Sequence, residues 1–232
     1  MPFANMLSKE SAKKGVGYKA AELIKDGMLI GLGTGSTVFY FIERLIQRCQ
    51  EGLKIQAAAS SERSFQQAKH GNIPLIDINI ITSVDITVDG ADEIDPQKRM
   101  IKGGGGALVR EKILATMSHE LIVIVDESKL VPQLGQCKLP VEVIPFAHLA
   151  TLRHIEKAGY RGIFRKTQDN KLFSTDNHNF LIDIHFDHPR EAPEKDHEVL
   201  IHIPGVIDTG FFFHLAGRVV IGFFDGQVTI RP

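Results

Sequence analysis

Short apolar runs alternate with amphipathic segments along the first half of the chain. Met28–Leu32 is an uninterrupted apolar run of strand length, and the apolar residues from Val38 to Ile46 then recur at helical spacing. Such alternation indicates a parallel sheet with helices packed on its faces. The same reasoning predicts further strands over 54–59, 75–76, 85–88 and 121–125, and helices over 5–25, 61–70 (ended by Gly71 as a C′ residue) and 108–117.

The pattern changes after about Val131, where prolines become frequent. A helix over 148–158 and strands over 162–166 and 180–186 are expected there, followed by a polar stretch from Asp187 to Glu198. Strands over 206–213, 219–223 and 228–231 close the chain, the last two joined by an Asp225-Gly226 hairpin turn. We therefore expect one α/β domain formed by residues 1–131 and 206–232, and a smaller α+β domain of residues 132–205.

Composition narrows the classes of function. The formal net charge of the 232 residues is −1, so no general field attracts nucleic acid or an anionic membrane. No run of about 18 apolar residues predicts a membrane span, and residues 1–14 do not read as a secretory signal. The two cysteines, Cys49 and Cys137, fit no metal or redox spacing, which favours a reducing, cytoplasmic location.

The first segment with chemical potential is Gly33-Thr34-Gly35-Ser36-Thr37. It lies between a predicted strand and a predicted helix, where free N–H groups and the helix dipole favour a phosphate. The alternative is a tight turn with a Ser/Thr helix cap. The segment lacks the lysine of a P-loop, and Ser36 replaces the last glycine of a dinucleotide fingerprint, so a nicotinamide cofactor is not expected.

The second segment, residues 89–95, is acidic and directly follows the strand that ends at Val88. Its carboxylates could open a sugar ring or hold hydroxyl groups. Their spacing does not match a calcium loop. Taken alone, the segment is better explained as a solvated acidic turn.

The third segment, Lys102–Gly106, contains four consecutive glycines and runs into the helix that holds Glu111. Such a run costs backbone entropy, so it indicates a close approach or unusual dihedral angles rather than a flexible linker. For an isolated Glu111, compensation of the helix dipole would be the better explanation.

Together the three segments predict one cleft, because all lie at strand-to-helix junctions of one sheet. A phosphate cradle, carboxylates and a lysine are what aldose–ketose isomerisation requires. A base carries a proton between C1 and C2, and donors stabilise the enediolate oxygen. No metal is needed if Lys102 or backbone N–H groups supply that stabilisation.

The three segments, with Asp126-Glu127-Ser128-Lys129 and Leu139-Pro140-Val141-Glu142-Val143, resemble the motifs of the ribose-5-phosphate isomerase A family, in the family's order. The resemblance implies Glu111 as the catalytic base and Asp89 as an aid to ring opening. It places Lys129, and more weakly Lys13, near the phosphate. The substrate-binding residues that it implies are Thr34, Gly35, Ser36, Thr37, Asp89, Gly90, Ala91, Asp92, Lys102, Gly103, Gly104, Gly105 and Lys129.

The resemblance also implies a Rossmann-like parallel-sheet domain with a smaller ferredoxin-like α+β domain. It further implies a cofactor-free and metal-free enzyme of the non-oxidative pentose phosphate pathway, acting on a small sugar phosphate. Family members assemble as homodimers, sometimes as tetramers, so a homodimer is expected here.

Three alternatives remain open from the sequence. Four side chains, those of His185, Asp187, His188 and His197, could bind a metal, although a solvated loop is favoured. A non-catalytic sugar-phosphate sensor would need a DNA-binding module, for which the residues before the first strand are too few. A coenzyme A transferase or an amino-sugar phosphate deaminase could use a similar scaffold.

Overall fold

A computed structural model describes residues 2–232, with side chains from Lys9 onward. The chain divides into two compact units. The first unit consists of the residues up to Ala91, Arg110–Lys129 and Leu215–Pro232, and the second of Asp92–Val109 and Leu130–His214.

The helices in chain order are α1 (Pro2–Ala21), α2 (Ser36–Gln50), α3 (Glu62–His70), α4 (Leu108–Thr116), α5 (His148–Lys157) and α6 (Pro193–Ile201), with two 3₁₀ helices at Ile78–Ile80 and Glu127–Lys129. The strands are β1 (Leu29–Leu32), β2 (Gln56–Ala59), β3 (Val84–Asp89), β4 (Glu93–Ile94), β5 (Met100–Ile101), β6 (Ser118–Asp126), β7 (Leu139–Val143), β8 (Arg161–Phe164), β9 (Phe180–His185), β10 (Val206–Thr209), β11 (Phe211–Phe212), β12 (Ala216–Gly222) and β13 (Val228–Arg231).

A six-stranded sheet in the order β13-β12-β6-β3-β1-β2 forms the centre of the first unit. All neighbours are parallel except β12 and β13, which form the hairpin predicted at Asp225-Gly226. The apolar face of α2, with Val38, Phe41 and Leu45, is buried against this sheet as its spacing predicts. The chain leaves β1 toward β2 on one side and returns as β3 on the other, so the strand order reverses at β1. Ligands of open α/β sheets bind at that reversal, beyond the carboxyl ends of the strands.

The second unit contains a four-stranded antiparallel sheet in the order β10-β7-β9-β8. Its elements follow one another as β7-α5-β8-β9-α6-β10, which is the ferredoxin-like βαββαβ arrangement. A three-stranded sheet of β11, β5 and β4 completes this unit. The predicted fold class, a Rossmann-like parallel sheet with a smaller ferredoxin-like part, is therefore confirmed.

Several local predictions were wrong for identifiable reasons. The polar stretch from Asp187 to Glu198 contains the start of α6, whose Pro193 lies in the first turn, where proline is tolerated. The strand expected over 206–213 is two strands separated at Gly210, and β7 was missed because Pro140 lies inside it.

Gly71 does not adopt the left-handed conformation expected of a C′ residue, since its φ is −82° and Asn72 takes the left-handed conformation instead. A glycine is needed at 71 for packing, because a Cβ there would lie 2.2 Å from Ile46 Cγ1.

The two compact units of the structure and the two domains expected from the sequence agree on the central sheet and on β7 to β9. They differ for 92–109, 130–131 and 206–214, which group with the second unit. The domain boundaries at 131 and 205, which were expected from the sequence pattern, stay a prediction.

Candidate active site

The first glycine loop, Gly33–Thr37, follows β1 at the point where the strand order reverses. The Thr34 N–H donates to Asp89 Oδ1 over 3.0 Å, and the Gly33 N–H donates to the Val88 carbonyl over 3.0 Å. A Cβ at Gly33 would lie 2.2 Å from the Asp89 carboxyl group. The loop therefore lies directly against β3, and glycine is required for that approach.

The same loop starts helix α2. Gly35 is the N-cap with φ +124°, a conformation that favours glycine, and no side chain of the described residues caps the helix. The first N–H groups of a helix have no intrahelical acceptor, so those of Ser36 and Thr37 point beyond the helix end together with the positive end of its dipole. Such an end favours an anion, as the sequence predicted.

A set of buried serines supports this loop and was not predicted from the sequence. The Thr34 hydroxyl lies 2.9 Å from the Ser60 hydroxyl oxygen and donates to Ser61 Oγ over 2.8 Å. Ser61 accepts from the Ser64 N–H and caps α3, while the Ser64 hydroxyl donates to the Gly33 carbonyl over 2.5 Å. Two adjacent serines directly after β2, the neighbour of β1, were the available signal.

Asp89 ends β3 with a side chain that is only 1% exposed. In addition to the Thr34 bond, its Oδ1 accepts from the Gly90 N–H over 2.8 Å. The next parallel strand, β6, ends at Asp126, whose Oδ1 accepts from the Ser128 N–H over 3.0 Å. That bond shapes the short 3₁₀ helix that carries Lys129, so Lys129 lies at the same edge of the sheet.

Glu111 lies in the first turn of α4 and is 3% exposed. Along the chain α4 lies between the parallel neighbours β3 and β6, so it runs back along the sheet and begins at the carboxyl edge. Leu114 lies on the same helix face one turn later and packs on β1, because its Cγ would lie 3.0 Å from a Cβ placed at Gly31. The first unit thus brings 34–37, 89–91, Glu111 and Lys129 to one edge of its sheet.

Lys13 of α1 is the weaker phosphate candidate. Its ammonium group lies 3.5 Å from the Glu10 carboxylate. Helix α1 packs closely on the central sheet beside Lys13, because the carbonyl oxygen of the preceding Ala12 would lie 2.7 Å from a Cβ placed at Gly222, the last residue of β12.

The second glycine loop, Lys102–Gly106, belongs to the second unit, as does Asp92. The Gly104 N–H donates to Asp92 Oδ2 over 2.7 Å, and a Cβ at Gly104 would lie 2.5 Å from Asp92 Oδ1. Lys102 is buried with its ammonium group 5.3 Å from the centre of the Phe212 ring. Gly103 and Gly106 have φ of +97° and +86°, which explains two of the four glycines.

The metal alternative receives no support. No three His, Cys, Asp or Glu side chains of the described residues gather in a group that could hold a metal ion. The His197 ring nitrogen Nδ1 lies 2.8 Å from the Thr209 hydroxyl, and Asp187 pairs with Arg161.

Comparison with known proteins gives the family. The sequence model of the protein family described as "Ribose 5-phosphate isomerase A (phosphoriboisomerase A)" matches residues 56–226 of this chain. A ribose-5-phosphate isomerase A of Protochlamydia amoebophila is 51% identical and covers 94% of both chains. The chain belongs to the ribose 5-phosphate isomerase A family. The family predicted from the motifs is therefore confirmed.

Solved structures of ribose 5-phosphate isomerases share the fold of this family member. The enzyme from Plasmodium falciparum aligns with a TM-score of 0.92 at 37% identity, covering 96% of this chain and 98% of its own. A D-ribose-5-phosphate isomerase in complex with phospho-erythronic acid aligns with a TM-score of 0.90 at 36% identity, covering 96% and 98%. Among the described helices of this chain, none is both long and apolar enough to cross a membrane.

Proposed function

We propose that this chain interconverts D-ribose 5-phosphate and D-ribulose 5-phosphate through an enediolate, as a step of the non-oxidative pentose phosphate pathway. Family membership supports the reaction. The observation that carries the assignment of residues is the buried Glu111 carboxylate, which lies in the first turn of α4 at the sheet edge that also holds Asp89 and the N-terminus of α2.

The phosphate group binds at the start of α2. The N–H groups of Ser36 and Thr37 are directed beyond the helix end, and glycine at 35 leaves space beside them, since a Cβ there would meet nothing within 4 Å. Lys129 supplies positive charge beside the phosphate, and Lys13 is the weaker candidate for the same role. This arrangement fixes one end of the sugar, so its other end meets the base in a defined orientation.

Glu111 carries the proton. In the direction of the ketose, its carboxylate takes the proton from C2 of the open-chain aldose, and the C1 carbonyl oxygen gains the electron pair. The same carboxyl group then returns the proton to C1, while the C2 oxygen becomes the carbonyl after a proton moves between the two oxygens. Burial suits the task, because it limits exchange of the carried proton with water.

The other predicted residues contact the oxygen atoms of the substrate. Lys102 and the N–H groups of 103–105, except that of Gly104, which donates to Asp92, supply hydrogen bonds to the enediolate oxygen. That oxygen needs preorganised donors as its charge develops. Asp89 aids ring opening, and 90–92 contact the sugar hydroxyls. The two N–H bonds that Asp89 Oδ1 accepts fix the orientation of this carboxylate.

The experiment is Glu111→Gln, which removes the base and keeps the shape of the side chain. We expect kcat to fall by about 10² or more, because general acid–base catalysis is worth that much, while inorganic phosphate still competes with substrate. The control is Glu62→Gln, because Glu62 is also a first-turn glutamate of the first unit but is exposed on α3. Near-normal turnover of Glu111→Gln would contradict the assigned base.

The homodimer that the resemblance implies and the cytoplasmic location that the two cysteines favour belong to the same proposal. Phe146, Leu149 and Ile163 of the second unit are exposed, and exposed large apolar side chains are common at protein interfaces. Sedimentation equilibrium of the purified chain tests the dimer, and a monomer at micromolar concentration would contradict it.

A further inference from the structure

Arg165, which follows strand β8, donates hydrogen bonds to carbonyl groups of the second glycine loop. Its Nη1 donates to the Gly103 carbonyl over 3.0 Å and to the Gly104 carbonyl over 3.1 Å. The side chain of Arg165 is only 10% exposed. A partly buried guanidinium group therefore contacts two successive peptides of a loop that is proposed to bind substrate.

These two bonds determine where the N–H groups of the loop point. In a trans peptide the carbonyl and the next N–H point in opposite directions. With both carbonyls turned to Arg165, the N–H groups of Gly104 and Gly105 point away from it. The Gly104 N–H is used by Asp92 Oδ2 at 2.7 Å. Gly105 is exposed, and its N–H has no acceptor among the described residues.

Arg165 is itself held rigidly. Its Nε donates to Asp183 Oδ2 over 3.0 Å and its Nη2 to Asp183 Oδ1, while Lys138 reaches the same carboxylate. The guanidinium carbon lies 5.8 Å from the centre of the Phe173 ring. Burial raises the pKa of Asp183, but hydrogen bonds from Arg165 and Lys138 outweigh burial and hold this pKa below its usual range. The anchor therefore stays ionised at neutral pH.

We propose that Arg165 is a positioning residue for the isomerisation: it orients the peptides of 103–105 so that the Gly105 N–H donates to the enediolate oxygen. Arg165 does not touch the substrate and acts through the loop. The inference rests on the proposed function and extends it to a residue outside every motif that carries the family resemblance.

The test compares Arg165→Lys with Arg161→Lys. A lysine at 165 can still pair with Asp183, but its single ammonium group cannot also hold two carbonyls in the geometry of a guanidinium fork. Arg161 is the matched control, because it lies in the same unit four residues earlier and its side chain is 73% exposed in an ion pair with Asp187. Arg161→Lys should leave all readouts within twofold, as roughly expected of an exposed pair.

We expect kcat of Arg165→Lys to fall by about 10- to 100-fold, since small misplacement of a donor has effects of that size, with KM for ribose 5-phosphate little changed. Phospho-erythronic acid carries a planar carboxylate that resembles the enediolate, so its affinity should fall by a similar factor. The inhibition constant of inorganic phosphate should stay the same. A general loss of structure would instead weaken both inhibitors.

Amide hydrogen exchange supplies a readout that needs no activity. Exchange at Gly104, whose N–H donates to Asp92, should be faster in Arg165→Lys than in the wild-type chain and unchanged in Arg161→Lys. Unchanged exchange, or kcat within threefold of wild type, would overturn the inference, as would equal weakening of both inhibitors. A wild-type chain without isomerase activity would instead overturn the proposed function, so the two failures are distinguishable.

Discussion

The two glycine loops of this protein share one local arrangement, a backbone N–H bonded to an aspartate beside a glycine, but they are held in place in different ways. In each loop a backbone N–H donates to an aspartate of the 89–92 segment, Thr34 to Asp89 and Gly104 to Asp92. In each, a glycine is in place where a Cβ would collide with that same aspartate. The surroundings of the two aspartates separate the loops: Asp89 is buried at the end of a central strand, whereas Asp92 is partly exposed.

The difference shows two ways of presenting backbone donors. In the first loop the donors are the opening N–H groups of α2, so a regular helix determines their direction. In the second loop no helix sets the direction, and the carbonyls are held instead by Arg165, a residue about 60 positions later in the chain. The first loop is therefore determined by local sequence, and the second by a distant side chain.

The strongest way to break the first loop is Gly33→Ala. The new Cβ would lie 2.2 Å from Asp89 Cγ and 2.6 Å from Asp89 Cβ, atoms that cannot swing away because they belong to a buried strand residue. We expect turnover to fall by about 10² and the free energy of unfolding to fall by about 2 kcal/mol, from misplacement and overpacking respectively. Steady-state kinetics and urea unfolding measure both. Wild-type values for Gly33→Ala would show that Asp89 does not hold this loop.

The matched change in the second loop, Gly104→Ala, should have a smaller effect. Its Cβ would meet the carboxylate oxygens of Asp92, the far end of a partly exposed side chain that can rotate. We expect turnover to fall about tenfold, through loss of the Asp92 bond, and stability to change by less than about 1 kcal/mol. An effect as large as that of Gly33→Ala would contradict the distinction between the loops.

The smallest expected effect is the pH dependence contributed by Asp183, the anchor of Arg165. Because its pKa in the folded state lies below the ordinary value of 3.8, Asp183 stabilises the fold fully above that value. As pH falls below about 4, the unfolded chain takes up the proton first and this contribution is lost. We expect Asp183→Asn to be less stable by about 1 kcal/mol at pH 7, with a difference that narrows below pH 4. Urea unfolding from pH 7 to 3.5 measures it, and a gap that widens on acidification would refute the assignment.

Much of the fold and part of the site follow from short-range patterns. The strand, glycine loop and helix over 28–50 can be predicted because apolar spacing and the glycines act within a few residues of one another. Ser60, Ser61 and Ser64 could not be assigned to the first loop, since only the pairing of β2 with β1 brings them there. The helix that starts at Pro193 was hidden by polar residues and prolines, although tertiary packing buries one side of it, including Leu200.

The amino-acid sequence by itself determined the family, the two kinds of sheet and the motifs expected to hold the substrate, because these depend on local spacing and residue type. Only the tertiary structure decided which side chains hold those motifs in place. Asp89 against Gly33, the serines beside Thr34, and Arg165 on the second loop all join residues far apart in the chain. Such contacts depend on strand order and register, which arise when the whole chain packs and which no local pattern records.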